Sequence, residues 1–146
     1  MKIKTSDIKI VLFLSGQRGL EVLKKLTSEK YDIIKIIVGS TDDYQLLNSK
    51  KEIDVEIAYE KNVNDNLFVQ KISNLNVDYF VMSGFKQILK KEILNIPKKG
   101  TLNLHAGKLP EYRGGSPLNW QIINGEKYAY ISIILTDEGI DTGNVL

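Results

Sequence analysis

The chain has 146 residues, which is the size of one domain with a buried core. Its composition, 42% hydrophobic and 26% charged, is that of a folded globular protein and argues against disorder. The lack of cysteine excludes disulfides, thiolate metal sites and cysteine nucleophiles. A net charge of +2 predicts no broad nucleic-acid surface, and no apolar run approaches the length of a membrane span. The basic and then apolar start, MKIKTSDIKIVLFLSG, lacks a signal-peptide cleavage site, so we expect a first buried strand and a cytoplasmic protein.

The first hundred residues alternate between strand and helix patterns. Short apolar runs predict strands at Ile8 to Leu14, Ile33 to Val38, Val55 to Ala58 and Val77 to Met82. Leucines three residues apart predict a helix over Gly19 to Thr27, and Asn64-Asp65 can cap a helix that carries Phe68, Ile72 and Leu75. The polar segment Gly39 to Lys51 predicts a loop with some helix.

The remaining residues continue the alternation. They predict a helical piece near Lys90 to Leu94, a strand at Thr101 to His105, a helix from Ser116-Pro117 to Asn124-Gly125, a strand at Tyr130 to Leu135 and a strand starting at Asn144. In the helix, Ser116 is the expected N-cap and Pro117 the first helical residue. Its apolar members predict burial: Leu118, Trp120, Ile122 and Ile123.

This order of elements predicts one α/β domain over residues 1–146, with a Rossmann-like, doubly wound and mainly parallel sheet. The sequence stops on the apolar Leu146, within a predicted element and without a polar tail. We therefore expect a domain that is truncated at its C-terminus.

Two polar side chains lie near the end of the strand predicted at Thr101 to His105. Asn103 and His105 are two residues apart on one strand, so both side chains point to the same face, near the carboxyl end where ligands bind in open sheets. His105 is the only histidine, so a metal would lack a second histidine or a cysteine as ligand. A lone histidine is more often structural than catalytic, but the asparagine on its face and the glycine-rich loops around it favour catalysis.

Two loops leave alternatives open. TDEGIDTG, residues 136–143, predicts by itself an Asx-type acidic turn, yet one of its carboxylates would orient the imidazole if the loop lies beside His105. Ser15 to Gly19 is either a tight strand–helix turn or an anion site at a helix N-terminus. We favour the turn, because the segment is not GxGxxG and the Asp42-Asp43 pair is a poor ribose ligand.

Three motifs carry a resemblance to a known family. NLHAGKLPEYRGGSPLNWQIINGE, residues 103–126, resembles the signature of the 10-formyltetrahydrofolate-dependent formyltransferases: N-x-H, L-P-x-Y-R-G, P-x-x-W and N-G-E. TDEGIDTGNVL, residues 136–146, resembles the acidic loop of that family, and SGFKQILKKEILNIPKKG, residues 83–100, is similar to its folate-binding stretch. The resemblance is strong from Val77 to Leu146 and weaker, though in register, from Ile8. It implies the formyltransferase fold.

The resemblance also implies the roles of individual residues. The implied catalytic set is Asn103, His105 and Asp141. The pterin of the co-substrate 10-formyltetrahydrofolate would be held by Lys86, Gln87, Ile88 and Leu89 and by the backbone of Asp137, Glu138, Gly139 and Ile140. Ile88 and Leu89 would offer apolar surface to the ring. No metal is implied.

Tyr112 and Arg113 match the L-P-x-Y-R-G turn, and the resemblance assigns them to substrate binding. A structural alternative stays open, in which Pro110 and two glycines shape the loop and Arg113 pairs with a carboxylate. The sequence leaves open whether the Leu109-Pro110 bond is cis or trans.

The implied reaction moves a formyl group from 10-formyltetrahydrofolate to a primary amine, and departures from the family narrow the acceptor. The segment after strand two lacks the basic, proline-containing insertion of methionyl-tRNA formyltransferases, HAGKLP replaces HPSLLP, and YRGGSPLNW differs from the purine-pathway form. The amine of a nucleotide-linked amino sugar is therefore the first hypothesis. Methionyl-tRNA formyltransferase, a non-catalytic folate- or nucleotide-binding module and a formate-releasing hydrolase remain alternatives. We expect a small-molecule amine as partner, without membrane or nucleic acid, and leave open a homodimer of a full-length form.

Overall fold

The computed structural model describes residues 4–146. Its strands are β1 Lys9–Leu14, β2 Asp32–Val38, β3 Ile57–Tyr59, β4 Tyr79–Ser83, β5 Thr101–His105, β6 Ser132–Leu135 and β7 Asn144–Val145. Its α-helices are α1 Gly16–Ser28, α2 Thr41–Asn48, α3 Asn66–Ser73, α4 Lys91–Leu94 and α5 Pro117–Ile123, preceded by a 3₁₀ turn at Thr5–Asp7. The described strands form one sheet in the order β3-β2-β1-β4-β5-β6-β7. β1 to β5 are parallel, β6 pairs antiparallel with β5, and β7 pairs antiparallel with β6, so the mainly parallel α/β fold is confirmed.

The core lies on both faces of β1, where the residues from Ile10 to Leu14 are all buried. This continuous apolar run is typical of a parallel strand that is covered on both sides. Leu20 and Leu23 of α1 pack into the cluster on one face, and Phe68 and Ile72 of α3 belong to the cluster on the other. β1 pairs in parallel with β2 on one side and β4 on the other, so the carboxyl ends of these three strands lie at the same end of the sheet.

The segment Gly39 to Lys51, predicted as a loop with some helix, forms α2, and its Asp43 contacts the turn between β1 and α1. The Asp43 carboxylate accepts hydrogen bonds from the Gly16 N–H at 2.9 Å and from the Ser15 hydroxyl at 2.7 Å. Burial raises the pKa of Asp43, but the bonds from Gly16, Ser15 and Ser40 outweigh it and hold the pKa below its ordinary value. A protein carboxylate thus bonds the first residue of α1, which supports the tight-turn interpretation of this loop over the anion site.

Helix α5 departs from expectation in its burial. It begins at Pro117 and stops before Gly125, which has a left-handed φ of 71°, as the sequence predicts. Ser116 holds the N-cap position, but its φ is 54° and its side chain caps no N–H group. The predicted burial is wrong for the apolar residues, since all four are exposed: Leu118, Trp120, Ile122 and Ile123. The buried residues of the helix are Pro117 and Gln121. Its apolar side is exposed because no element within residues 4–146 packs over it.

Within residues 4–146, the helices are too short or too polar to cross a lipid bilayer. The assignment of residues 1–146 to one catalytic domain stays a prediction.

Candidate active site

Strand β5 presents the polar pair. It lies between β4 and β6, with Asn103 opposite Met82 on one side and Ile134 on the other. This ladder fixes the register, so Asn103 and His105 project to one face of the sheet. His105 is the last residue of the strand and is only 6% exposed. The sheet therefore holds both side chains near the carboxyl ends of its parallel strands.

The loop after β6 folds back over this pair and brings Asp141 to it. Asp141 Oδ1 accepts a hydrogen bond from Asn103 Nδ2 at 3.3 Å, and Asp141 Oδ2 lies 3.4 Å from His105 Nδ1. The Gly114 N–H donates to Asp141 Oδ2 at 3.0 Å. With 14% of its side chain exposed, the carboxylate bridges the asparagine and the histidine, a proximity that sequence spacing could not establish.

Local bonds shape that loop. Asp137 Oδ1 accepts from the Gly139 N–H at 3.0 Å, which is the predicted Asx turn, and it also accepts from the Thr142 hydroxyl. The Thr142 bond lowers the pKa of Asp137. Asp141 has a left-handed φ of 51°, and Arg113 Nε donates to its backbone carbonyl at 3.1 Å. Arg113 thus holds the main chain of the loop, whereas the structural alternative gave it a carboxylate partner.

The second nitrogen of His105 meets a backbone group that the sequence analysis missed. His105 Nε2 lies 2.5 Å from the carbonyl oxygen of Tyr112. The Tyr112 hydroxyl donates to Glu126 Oε1 at 2.7 Å. The motif spacing marks Tyr112 as a turn residue but gives no signal of a role for its carbonyl. The substrate-binding roles of Tyr112 and Arg113 stay predictions, and neither residue lines the cleft described below.

The HAGKLP turn between β5 and α5 is held by side chains from neighbouring elements. Ser132 Oγ of β6 donates to the Gly107 carbonyl at 2.7 Å and accepts from the Leu109 N–H at 3.2 Å. The Leu109-Pro110 bond is cis, which answers the question left open by the sequence. These bonds fix the chain that leads from His105 to Tyr112.

A cleft of about 510 Å³ opens above the three polar side chains. The segment Lys86 to Leu89 lines it together with Asp137, Gly139 and Ile140 and with Arg18, which the sequence analysis did not single out. Ile88 is 59% exposed, whereas Leu89 is 3% exposed, so Ile88 supplies most of the apolar side-chain surface expected from both.

Two further predicted pocket residues have their side chains engaged elsewhere. Gln87 Nε2 donates to the Glu60 carbonyl at 2.8 Å, and Gln87 Oε1 accepts from the Val63 N–H at 3.1 Å. Glu138 forms an ion pair with Lys91 at 3.6 Å and does not line the cleft. Gln87 therefore anchors the wall, and its contribution to the cleft is a backbone one. The cofactor-binding assignments of both residues stay predictions.

Together, the sheet order and the contacts among Asn103, His105 and Asp141 define an α/β protein with a cluster of three polar side chains at the carboxyl ends of its strands. The family model described as "Formyl transferase" matches residues 8–146. The chain therefore belongs to the formyl transferase family, and the resemblance seen in the sequence is confirmed.

Curated relatives in this family include methionyl-tRNA formyltransferases. That of Clostridioides difficile (strain 630) is 36% identical over 151 aligned positions, which cover 95% of this chain and 48% of the relative. That of Clostridium beijerinckii is 49% identical over 82 residues, which cover 56% of this chain and 27% of the relative. The chain spans about half the length of the first of these relatives.

Solved structures share the fold at lower identity. Phosphoribosylglycinamide formyltransferase from Streptococcus pneumoniae TIGR4 has a TM-score of 0.78 and 21% identity, over 95% of this chain and 79% of that one. A formyltetrahydrofolate deformylase from Pseudomonas syringae has a TM-score of 0.72 and 18% identity, over 94% of this chain and 49% of that one. At these identities the likeness concerns the fold.

Proposed function

We propose that this chain carries the catalytic centre of an N-formyltransferase, which moves a formyl group from 10-formyltetrahydrofolate to a primary amine. The observation that carries the proposal is the Asp141 carboxylate, which contacts both Asn103 and His105 in the wall of an open cleft. A protein that only binds folate has no need for an asparagine, a histidine and an aspartate in mutual contact. Membership in the formyl transferase family supports the same reaction class.

Each member of the set has a role in that reaction. Attack of a neutral amine on the formyl carbon places negative charge on the formyl oxygen, which needs preorganised donors. Asn103 Nδ2 carries two N–H groups, so one can hold Asp141 while the other faces the formyl oxygen. Asp141 orients His105 and helps move the proton from the amine to the leaving folate nitrogen. His105 Nε2 becomes a second donor once the Tyr112 carbonyl gives way to the bound formyl group.

The cleft fits the co-substrate. Ile88 presents apolar surface to a flat ring. Among residues 4–146, the backbone groups of Lys86, Gln87 and Leu89 make no hydrogen bond, so their N–H and C=O groups can match the donor and acceptor edge of a pterin. The buried hydroxyl of Thr136, which lines the cleft, has no partner in this part of the chain either.

For the acceptor, the relatives favour the alternative over the first hypothesis. Because these relatives are methionyl-tRNA formyltransferases, the amine of methionyl-tRNA is the better supported acceptor for this chain. The nucleotide-linked amino sugar becomes the second candidate. It is kept because the segment after β2, which forms α2 here, lacks the basic, proline-containing insertion of the tRNA enzymes. A nucleic-acid partner therefore belongs to the proposal, against the first expectation.

The test of the reaction is single-turnover transfer from 10-formyltetrahydrofolate, followed by the absorbance of tetrahydrofolate as it forms. Changing Asn103→Ala or His105→Ala removes a donor that acts on transition-state charge, so the rate should fall about a hundred- to a thousand-fold. Asn119→Ala, on the exposed side of α5, is the matched control and should keep the parent rate. A rate for His105→Ala close to that of the parent would refute the proposal and favour a binding module.

The acceptor is tested with two amines in parallel, methionyl-tRNA and a 4-amino-4,6-dideoxy sugar nucleotide. Transfer to tRNA should weaken steeply as salt rises, because the binding of a polyanion releases counterions. Transfer to the sugar amine should depend little on salt. Formyl transfer to the sugar alone would reverse the order of the two acceptors and leave the reaction class intact.

A further inference from the structure

A second cavity adjoins the catalytic cleft. Its volume is about 510 Å³, and three residues of the loop after β6 line both spaces: Thr136, Asp137 and Gly139. Thr101, the first residue of β5, lines the second cavity but not the catalytic cleft. The two spaces therefore share the loop segment that begins at Thr136 as a common wall.

Two orphaned hydroxyls mark this cavity. Thr101 is 1% exposed, and neither its hydroxyl nor that of Thr136 has a hydrogen-bond partner in residues 4–146, although both oxygens are buried. The Thr136 N–H donates to the Thr101 carbonyl at 2.7 Å, so the two residues lie side by side where β5 begins and β6 has just ended. Burying a hydroxyl without a partner costs free energy, and native proteins seldom leave one unpaired. A pair of them in one cavity wall points to a polar ligand.

The register of β5 connects this cavity to the catalytic residues. Thr101, Asn103 and His105 are successive alternate residues of one strand, so their side chains form a row on one face. Two residues of a strand span roughly 7 Å, which is comparable to the length of a fused two-ring heterocycle. A ring with its polar edge at Thr101 therefore extends along the row toward Asn103.

We propose that the hydroxyls of Thr101 and Thr136 bind the polar edge of the pterin ring and so determine recognition of the folate co-substrate. This inference rests on the proposed function and extends the pterin pocket from the cleft, where backbone groups line it, past Thr136 into the second cavity, where Thr101 lies. A hydroxyl both donates and accepts, so the pair can match a ring edge that alternates N–H groups with acceptors.

The test compares Thr101→Val and Thr136→Val with the parent, by calorimetry with 5-formyltetrahydrofolate as the probe. Valine keeps the shape and removes the hydroxyl, so each change should weaken binding about three- to tenfold, which corresponds to one neutral hydrogen bond. The thermal midpoint of the free protein should stay the same or rise, because an unpaired buried hydroxyl is lost. Thr101→Ser keeps the hydroxyl and should retain the affinity. Thr27→Val, on exposed α1 surface, is the matched control and should bind as the parent does.

A second probe locates the effect on the ligand. p-Aminobenzoylglutamate, the part of folate without the pterin, should bind the parent and Thr101→Val equally. Unchanged affinity of both valine variants for 5-formyltetrahydrofolate, in a protein whose parent form binds it, would overturn this inference and leave the proposed function standing. A lower thermal midpoint of the valine variants with unchanged affinity would show a structural role and overturn it as well. A parent protein that binds no folate would overturn both proposals.

Discussion

The centre of the sheet and its β7 edge differ in how completely their apolar residues are covered. In the covered region, which is β1, β2 and β4 with α1 and α3, side chains such as Phe13 and Phe80 have no exposed surface. In the open region, which is α5, β6 and β7, Ile122 is 69% exposed and Val145 is 54% exposed. This difference indicates that folding stability depends mainly on the covered region, whereas the candidate site takes residues from both regions. Strand β5 lies at the boundary and is held by both.

The site itself crosses this boundary. Asn103 and His105 stand on β5, which pairs with β4 of the covered region. Asp141 and the Tyr112 carbonyl come from loops joined to the open region. We therefore expect changes in the covered region to alter global stability, and changes in the open region to alter the site more than the stability.

The largest expected effect contrasts one core residue with one exposed residue. Phe80 is fully buried, with its ring edge-on to Phe13 at a centroid distance of 5.1 Å, so Phe80→Ala should lower the free energy of unfolding by about 3–5 kcal/mol. Ile122→Ala, its counterpart in the open region, should change that free energy by less than about 0.5 kcal/mol. Urea denaturation measures both. Equal losses would show that Ile122 is buried in solution and erase the contrast.

A smaller effect is expected where two strand ends meet in the covered region. Gly84 has a φ of 69°, and a Cβ there would lie 2.6 Å from the Ser15 carbonyl oxygen, so Gly84→Ala should cost roughly 2–4 kcal/mol from strain and crowding together. Gly16 has a similar φ of 63° but open space around it, so Gly16→Ala isolates the strain and should cost about 1–2 kcal/mol. Thermal denaturation of both variants separates the two contributions. An equal loss of stability in the two variants would show that crowding at Gly84 contributes nothing.

Gln121 is the inward anchor of α5 and offers a test within the open region. Its Nε2 donates to the Ala106 carbonyl and its Oε1 accepts from the Tyr130 N–H, each at 2.9 Å. Gln121→Leu leaves these two backbone groups unpaired and should cost about 1–3 kcal/mol. Amide exchange at Tyr130 should become faster while the amides of β1 stay protected. Uniformly faster exchange would mean that the open region does not unfold separately.

The smallest expected effect is a pH dependence at the start of α1 in the covered region, where Asp43 of α2 accepts from the Gly16 N–H. The folded pKa of Asp43 lies below its ordinary value of about 3.8, so the unfolded chain binds its proton first as the pH falls. The stabilisation is therefore present above about pH 4 and is lost as the pH falls through the lowered folded pKa. Asp43→Asn should remove this contribution, so the thermal midpoint of the variant should change less between pH 5 and pH 2 than that of the parent. A parallel decline of parent and variant would assign the acid sensitivity to other carboxylates.

Much of the fold could be predicted because the covered region carries its signals locally. Within it, the predicted cap Asp65 accepts from the Leu67 and Phe68 N–H groups at the start of α3, and at its boundary strand Thr101 to His105 has the predicted limits. The apolar face of α5 shows where such signals fail. Composition predicts burial of an apolar helix, but burial requires a neighbouring surface, and residues 4–146 supply none on that side.

The amino-acid sequence by itself determined the order of elements, the pairing of Asn103 with His105 on one strand face, and the motifs that mark the family. These features depend on residues close together in the chain, where alternation and turn chemistry act directly. Only the tertiary structure decided that Asp141 contacts both side chains and that the Tyr112 carbonyl meets His105. It alone placed the buried hydroxyls of Thr101 and Thr136 in one cavity wall. These contacts join segments far apart in the chain, and the pairing of β5 with β6 and the return of the following loop bring them together.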